Sequence, residues 1–205
     1  RDVYKRQPLD GTWPAIGMSG SDSRTVRFTG APARAVGGPG QYVDRPGFWH
    51  GGAGVAACWF GGAAGVADTL LAAARAKELS PHALVHLGAI DVALGGAWAV
   101  LEDTARRIDA APEADAGRLV LRARAAVEAA ATEVIDRVGR ALGAGPLCRD
   151  PGHAQRIADL TVYLRQSHAE SDLEQLGHLL VDTDPDWFAS PDVNPDSRVG
   201  EGSSW

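Results

Sequence analysis

The side chain whose type and position most suggest acid–base chemistry is a histidine spaced behind three aliphatic residues. Ile157, Leu160, Leu164, His168 and Ser171 are separated by three or four positions, so His168 continues an apolar stripe and is expected to point into a helical core. An imidazole there has two readings. Bonded to a backbone carbonyl or a hydroxyl it is a core histidine; facing a cavity it is a proton carrier that titrates near neutral pH. Glu170 and Asp172 lie off the stripe and are expected to be solvated. Arg149, Arg156 and Arg165, on or near the same helix, are suited to a phosphate, although pairing with surface carboxylates is the commoner fate of such guanidinium groups.

Other chemistries fail on spacing or context. Gly52-Ala53-Gly54-Val55-Ala56-Ala57 matches the glycine pattern that cradles a pyrophosphate, but it follows Arg45-Pro46-Gly47-Phe48-Trp49 rather than a buried strand. A di-iron bundle needs Glu-x-x-His pairs on two helices, and a zinc protease needs His-Glu-x-x-His; neither is present, so no metal is expected. Cys58 and Cys148 fit no Cys-x-x-Cys or Cys/His spacing, which leaves reduced thiols and a cytoplasmic location as the expectation. A net charge of −6 argues against nucleic acid as a partner, since phosphate binding needs clustered Lys and Arg.

The elements that must position His168 are helical. From Phe48 to Val181, Ala, Leu and Val recur at helical spacing, broken only by caps and turns. Ser80-Pro81 and Asp150-Pro151 each place a capping side chain before a proline at the first helical position. Ala111-Pro112-Glu113 separates two helices, and Gly143-Ala144-Gly145-Pro146 ends another with residues suited to left-handed geometry. Four helices are expected, at about 48–78, 81–110, 114–142 and 151–181. Each is on the order of 40 Å long, and such short links force antiparallel neighbours: a mainly α, up-down four-helix bundle. The first helix holds Gly51, Gly52, Gly54, Gly61, Gly62 and Gly65, each costing up to about 1 kcal/mol of helix propensity, for which close approach of another backbone or a flat ligand is the expected compensation. The uncharged run Gly51–Ala67 is rich in Gly and Ala rather than Leu and Ile, so it reads as a packed helix and no membrane span is expected.

Before the bundle, residues 8–46 are rich in Gly, Pro and Ser, with short candidate strands at Trp13–Ile16, Thr25–Phe28 and Ala35–Val36. So few strands make no stable sheet alone and suggest the end of a larger β domain whose upstream part is missing. Residues 1–7 read as a non-native end, 47–181 as the bundle, and 182–205 as a flexible acidic tail with too little apolar surface to fold alone.

Three ordered segments resemble the C-terminal half of the acyl-CoA dehydrogenase family. Trp13-Pro14-Ala15-Ile16-Gly17-Met18-Ser19-Gly20-Ser21 is similar to the family's Trp-x-x-x-Gly-Met-Arg-Gly-Ser stretch at the end of its β-barrel domain. The bundle follows, and Arg140-Ala141-Leu142-Gly143-Ala144-Gly145 is similar to the Gln-x-x-Gly-Gly-x-Gly turn before the family's last long helix. The resemblance implies a short remnant of that barrel and a flavoprotein that holds FAD across a subunit interface, hence a homodimer or homotetramer. It also implies an acyl-CoA substrate that loses its α-proton to a base and a β-hydride to the flavin, and an electron acceptor such as an electron-transfer flavoprotein. The segment Ile157-Ala158-Asp159, matched to the one before the family's catalytic glutamate, brings that position to Ser167 or His168. Histidine there resembles the flavin monooxygenase branch, which uses reduced flavin to activate oxygen. Departures are plain: the Arg-x-x-Phe-Gly cofactor motif survives only as Arg75, and the first glutamine of the turn is Arg140. FAD contacts are therefore expected at Arg75, Arg140, Gly143 and Gly145. With those motifs degraded, a bundle that only oligomerises or binds another protein is the third reading, and the chain on its own is expected to be inactive.

Overall fold

Residues 5–183 are described by a computed structural model. The acidic tail expected from residue 182 lies, from 184 onward, outside the described residues. Among the described residues six α-helices carry the fold: α1 (Pro46–Ala76), α2 (Pro81–Ala110), α3 (Gly117–Leu142), the short α4 (Gly145–Arg149), α5 (Pro151–Leu164) and α6 (Glu170–Thr183). Ahead of them β1 (Arg6–Pro8) pairs antiparallel with β2 (Val26–Phe28), with Gln7 opposite Arg27. The chain is thus a mainly α bundle preceded by a short β piece.

Local chemistry sets the helix ends. Ser80 Oγ accepts the amide hydrogen of Ala83 at 3.3 Å, and Asp150 Oδ1 accepts that of His153 at 3.0 Å, each with a proline at the first helical position. At the far end of α3, Gly143 takes φ +67° while its amide bonds Gly139 O at 2.8 Å. Helices α1, α2 and α3 run up, down and up. Trp49 lies beside Gly117, and a β-carbon at Gly52 would stand 3.1 Å from Val120, so α1 and α3 are parallel and in register. Helix α3 is central, burying Val120, Val127, Ala131, Val134 and Val138 against Trp59, Val66 and Leu70 of α1 and Ile90 and Leu101 of α2. Burial of such side chains contributes about 1.5–3 kcal/mol each.

The fourth helix departs from expectation. Instead of one element over 151–181 there are two, α5 and α6, separated at 165–169. Helix α5 tightens as it ends: Arg165, Gln166 and Ser167 donate to the carbonyls three residues back. Ser167 Oγ then accepts the amide of Ala169 at 3.1 Å, and Ala169 sits at φ +45°. A serine hydroxyl competing for backbone donors breaks the ladder, which apolar periodicity does not register. Helix α5 runs antiparallel to α1, placing His153 by Thr69, Arg156 by Gly65, and Leu160 by Gly62. A β-carbon at Gly62 would lie 3.0 Å from Leu160 Cδ1, so the close neighbour there is a side chain and not the expected backbone. At Gly54 and Gly61 no atom comes within 4 Å of that point.

The strand expectations change as well. Trp13–Ile16 and Ala35–Val36 are loops, and the partner of β2 is Arg6–Pro8, which overlaps the residues read as a non-native end. Pro14 has no amide to give a ladder. The Trp13–Met18 segment docks on α5 instead. Met18 N donates to Asp159 Oδ1 at 2.5 Å, Gln155 Nε2 donates to Ile16 O at 3.4 Å, and the Trp13 indole donates to Met18 O at 3.0 Å. Gly17 is buried against the α5 backbone; a β-carbon there would fall 2.1 Å from Ala158 O.

Candidate functional site

The break between α5 and α6 decides where His168 goes. Its side chain is 79% exposed, not inward as the stripe predicts, because the chain leaves helical phase after Leu164. The buried histidine of α5 is His153, which sits against Thr69 Oγ1 at 2.9 Å. Burial lowers the pKa of His153, and its amide, bonded to Asp150, holds that carboxylate's pKa below its ordinary value. That pair anchors the start of α5; it does not reach the His168 region.

Around His168 a polar chain is assembled from three elements. His168 Nδ1 lies 3.3 Å from Asp172 Oδ1, one helical turn on. Asp172, expected to be solvated, has a side chain only 12% exposed, and its Oδ2 lies 3.6 Å from Arg124 Nε. Arg124 is equally buried, its guanidinium 4.7 Å from the centre of the Trp59 ring. It also reaches toward Gly52 O on α1 and Gln166 O in the break, both at 3.5 Å. One cation thus ties α1, α3 and the break together. An Nδ1–H donated to Asp172 leaves His168 Nε2 with a lone pair facing outward, the arrangement that suits an imidazole to move a proton.

This chain borders a cleft of ≈520 Å³ floored by Gly51 and Gly52 and walled by Tyr42, Phe48 and Trp49. The rings meet edge to face, Tyr42 to Phe48 at 5.9 Å and Phe48 to Trp49 at 5.7 Å. Arg45 lies 4.6 Å over the Tyr42 ring. Deeper in, the Tyr163 ring packs edge-on against Trp59 at 6.1 Å, and its phenol pKa is raised by burial and by neighbouring Cys58. Both cysteines are free thiols, and among the described residues no three potential ligands converge on a metal position.

Arg75, Arg140, Gly143 and Gly145 are not part of this cleft. The register of Trp49 beside Gly117 and Gly52 beside Val120, carried along the parallel helices, puts Arg75 level with Gly143 at the opposite end of the bundle. By helix rise that is about 35 Å from Gly52. The four share one end, with Arg75 and Arg140 exposed, Arg140 3.5 Å from Asp136, and no atom within 4 Å of a β-carbon at Gly143. At Gly145 a β-carbon would lie 3.2 Å from the Arg149 guanidinium, so Arg149 gathers at the same turn. Arg165 pairs with the Glu128 carboxylate at 2.8 Å, the fate expected of it, whereas Arg156 donates to the Gly65 backbone carbonyl at 2.7 Å. Sequence reasoning missed Arg124 and Asp172. The four-residue step from His168 to Asp172 was available as a signal; nothing local marks Arg124.

The architecture is the helical bundle of the acyl-CoA dehydrogenase fold, as comparison with solved structures shows. The dibenzothiophene monooxygenase TdsC from Paenibacillus sp. A11-2, in complex with FMN and indole, superposes with a TM-score of 0.73 at 21% identity over 88% of this chain. A second structure of that enzyme gives 0.72 at the same identity and coverage. The chain spans about half the length of these proteins, 53% and 54%. No protein-family model and no curated protein sequence matches.

Proposed function

We propose that this chain is the helical-bundle part of a flavin-dependent oxidoreductase of the acyl-CoA dehydrogenase fold, and that its chemistry is monooxygenation. The observation that carries the reading is the His168–Asp172–Arg124 chain at the mouth of an aromatic-walled cleft, on the fold of a monooxygenase solved with FMN. Arg75, Arg140, Gly143 and Gly145, at the far end of the bundle, would hold the anionic part of a flavin, FAD or FMN, that serves the His168 cleft of a second copy of this chain. A bound flavin supplies electron transfer and, when reduced, oxygen activation.

The chain's own residues do the rest. His168 takes or gives a proton at Nε2, Asp172 holds Nδ1–H and the ring orientation, and Arg124 holds Asp172 in place. Tyr42, Phe48 and Trp49 offer accessible ring faces that favour a flat apolar substrate. A dehydrogenase acting on acyl-CoA, with an electron-transfer flavoprotein as acceptor, is the second reading. It calls for a desolvated carboxylate base, whereas this position carries an imidazole on a carboxylate.

The test uses the protein encoded by the full reading frame that contains this chain. Expected are uptake of flavin, oxygen consumption with a separate flavin reductase, and a turnover loss of about 100-fold or more in His168→Ala, the scale of general acid–base catalysis. Thermal stability of that variant should be unchanged. Failure to take up flavin refutes the proposal, and anaerobic reduction of bound flavin by an acyl-CoA moves the assignment to the dehydrogenase.

A further inference from the structure

We propose that Arg45 makes the His168 cleft selective for a flat aromatic molecule that carries a carboxylate, the guanidinium taking the carboxylate and the rings taking the body. The inference rests on the reading above and names the substrate class of that same site. Four lining side chains can carry charge near neutral pH: Arg45, Arg124, His168 and Asp172. Arg124 Nε faces Asp172 at 3.6 Å, and the other oxygen of Asp172 faces His168 Nδ1 at 3.3 Å. With the imidazole neutral, these three sum to zero. Arg45 is then the uncompensated charge of the lining, in a chain whose net charge is −6.

Its geometry holds it in place and leaves it available. Arg45 Nε donates to Tyr42 O at 3.2 Å, and the guanidinium lies 4.6 Å over the Tyr42 ring. Among the described residues no carboxylate comes within 4.0 Å of it, and neither Nη has a partner. Nearby carboxylates are turned elsewhere: Asp44 lies against Gly40, and Asp115 accepts the Gly117 amide at 2.8 Å. With Nε engaged, the free edge is the pair of Nη donors, whose spacing matches the two oxygens of one carboxylate. A guanidinium already oriented loses less side-chain freedom when a ligand arrives.

The rest of the cleft suits a flat body. Its volume of ≈520 Å³ lies in the range of small-molecule sites. Phe48 is 37% and Tyr42 68% exposed, so their ring faces are open to stacking. No atom stands within 4 Å of a β-carbon at Gly51, which leaves bare α1 backbone as the floor. A neutral flat molecule would use the rings alone. A carboxylate adds a bidentate, charge-assisted pair, and because Arg45 is solvent-exposed that pair is screened and worth about tenfold in affinity. A cationic molecule meets a like charge at the same place. Arg45 therefore decides which flat molecule is chosen, by attraction toward one charge and repulsion of the other.

The experiment is calorimetric titration of the protein encoded by the full reading frame with naphthalene-2-carboxylate and with its neutral isostere 2-naphthamide. The wild type is expected to bind the carboxylate about tenfold more tightly, and Arg45→Gln to lose that preference while keeping its affinity for the amide. Arg45→Lys should keep part of the preference, since it retains the charge and loses the fork. Raising sodium chloride from about 0.05 to about 0.5 M should shrink the wild-type preference, a measurement that needs no variant. Equal affinities in the wild type, binding of neither probe, a preference that survives in Arg45→Gln or in high salt, or equal loss of both probes in Arg45→Gln each overturn the proposal. Flavin uptake, read separately by absorbance, fails or succeeds independently of these affinities, so loss of the monooxygenase reading is distinguished from loss of this one.

Discussion

Gly17→Ala is expected to release the Trp13–Met18 segment from the bundle while leaving the bundle folded. The added β-carbon would lie 2.1 Å from Ala158 O and 2.6 Å from Ala158 C, both backbone atoms of α5 that no side-chain rotation moves aside. Ordinary contact begins near 3.4 Å, so the segment must retreat by more than 1 Å. That displacement breaks the Met18 N–H bond to Asp159, 2.5 Å long and made to a carboxylate, worth about 1.5–3 kcal/mol. It also breaks the weaker Gln155 bond to Ile16 O, 3.4 Å long and worth about 0.5–1 kcal/mol. Together they give about 3 kcal/mol of local docking energy, or about a 150-fold change in opening equilibrium. Native-state hydrogen exchange at the Met18 amide reads this directly: about 100-fold faster exchange is expected in Gly17→Ala. A smaller gain, about tenfold, is expected in Asp159→Asn, which keeps the shape and loses the charge. Amides of the α3 core, such as Val127, should be unaffected in both. Unchanged protection at Met18, or parallel loss at Met18 and Val127, would refute the reasoning.

Three further outcomes are expected. Because the folded pKa of His153 lies below its ordinary value, the stability from the neutral ring is complete above about pH 6.5 and is lost as pH falls below it. His153→Gln should therefore flatten the decline in melting temperature between pH 7 and 5, a decline to which one proton contributes at most about 1.4 kcal/mol per pH unit. Arg124→Met leaves Asp172 without a counter-charge at 12% exposure and should cost about 2–3 kcal/mol, a fall of roughly 5–10 °C in Tm by calorimetry. His168→Ala, by contrast, removes a side chain 79% exposed and should shift stability by no more than about 0.5 kcal/mol in the same assay.

Much of the bundle was legible in the chain because its signals are local. Apolar spacing, the Ser80-Pro81 and Asp150-Pro151 starts and the Gly143 stop act within a few residues of where they stand, and each appears at the expected place. The interruption after Leu164 was not legible. Apolar positions continue through it, and only the backbone competition from Ser167 and the left-handed Ala169 reveal that helical phase is lost. His168 was expected to point inward and is exposed instead, since a stripe predicts direction only while the helix lasts.

What the amino-acid order determined by itself was the number, ends and apolar faces of the first three helices, because turns, caps and periodicity are properties of neighbouring residues. Tertiary structure decided the candidate site. Arg124 stands 44 positions from His168 in the chain, and only the packing of α3 between α1 and the α5–α6 break brings it against Asp172 and the Trp59 ring. A buried cation draws its meaning from the charge that faces it, and that charge arrives from another element.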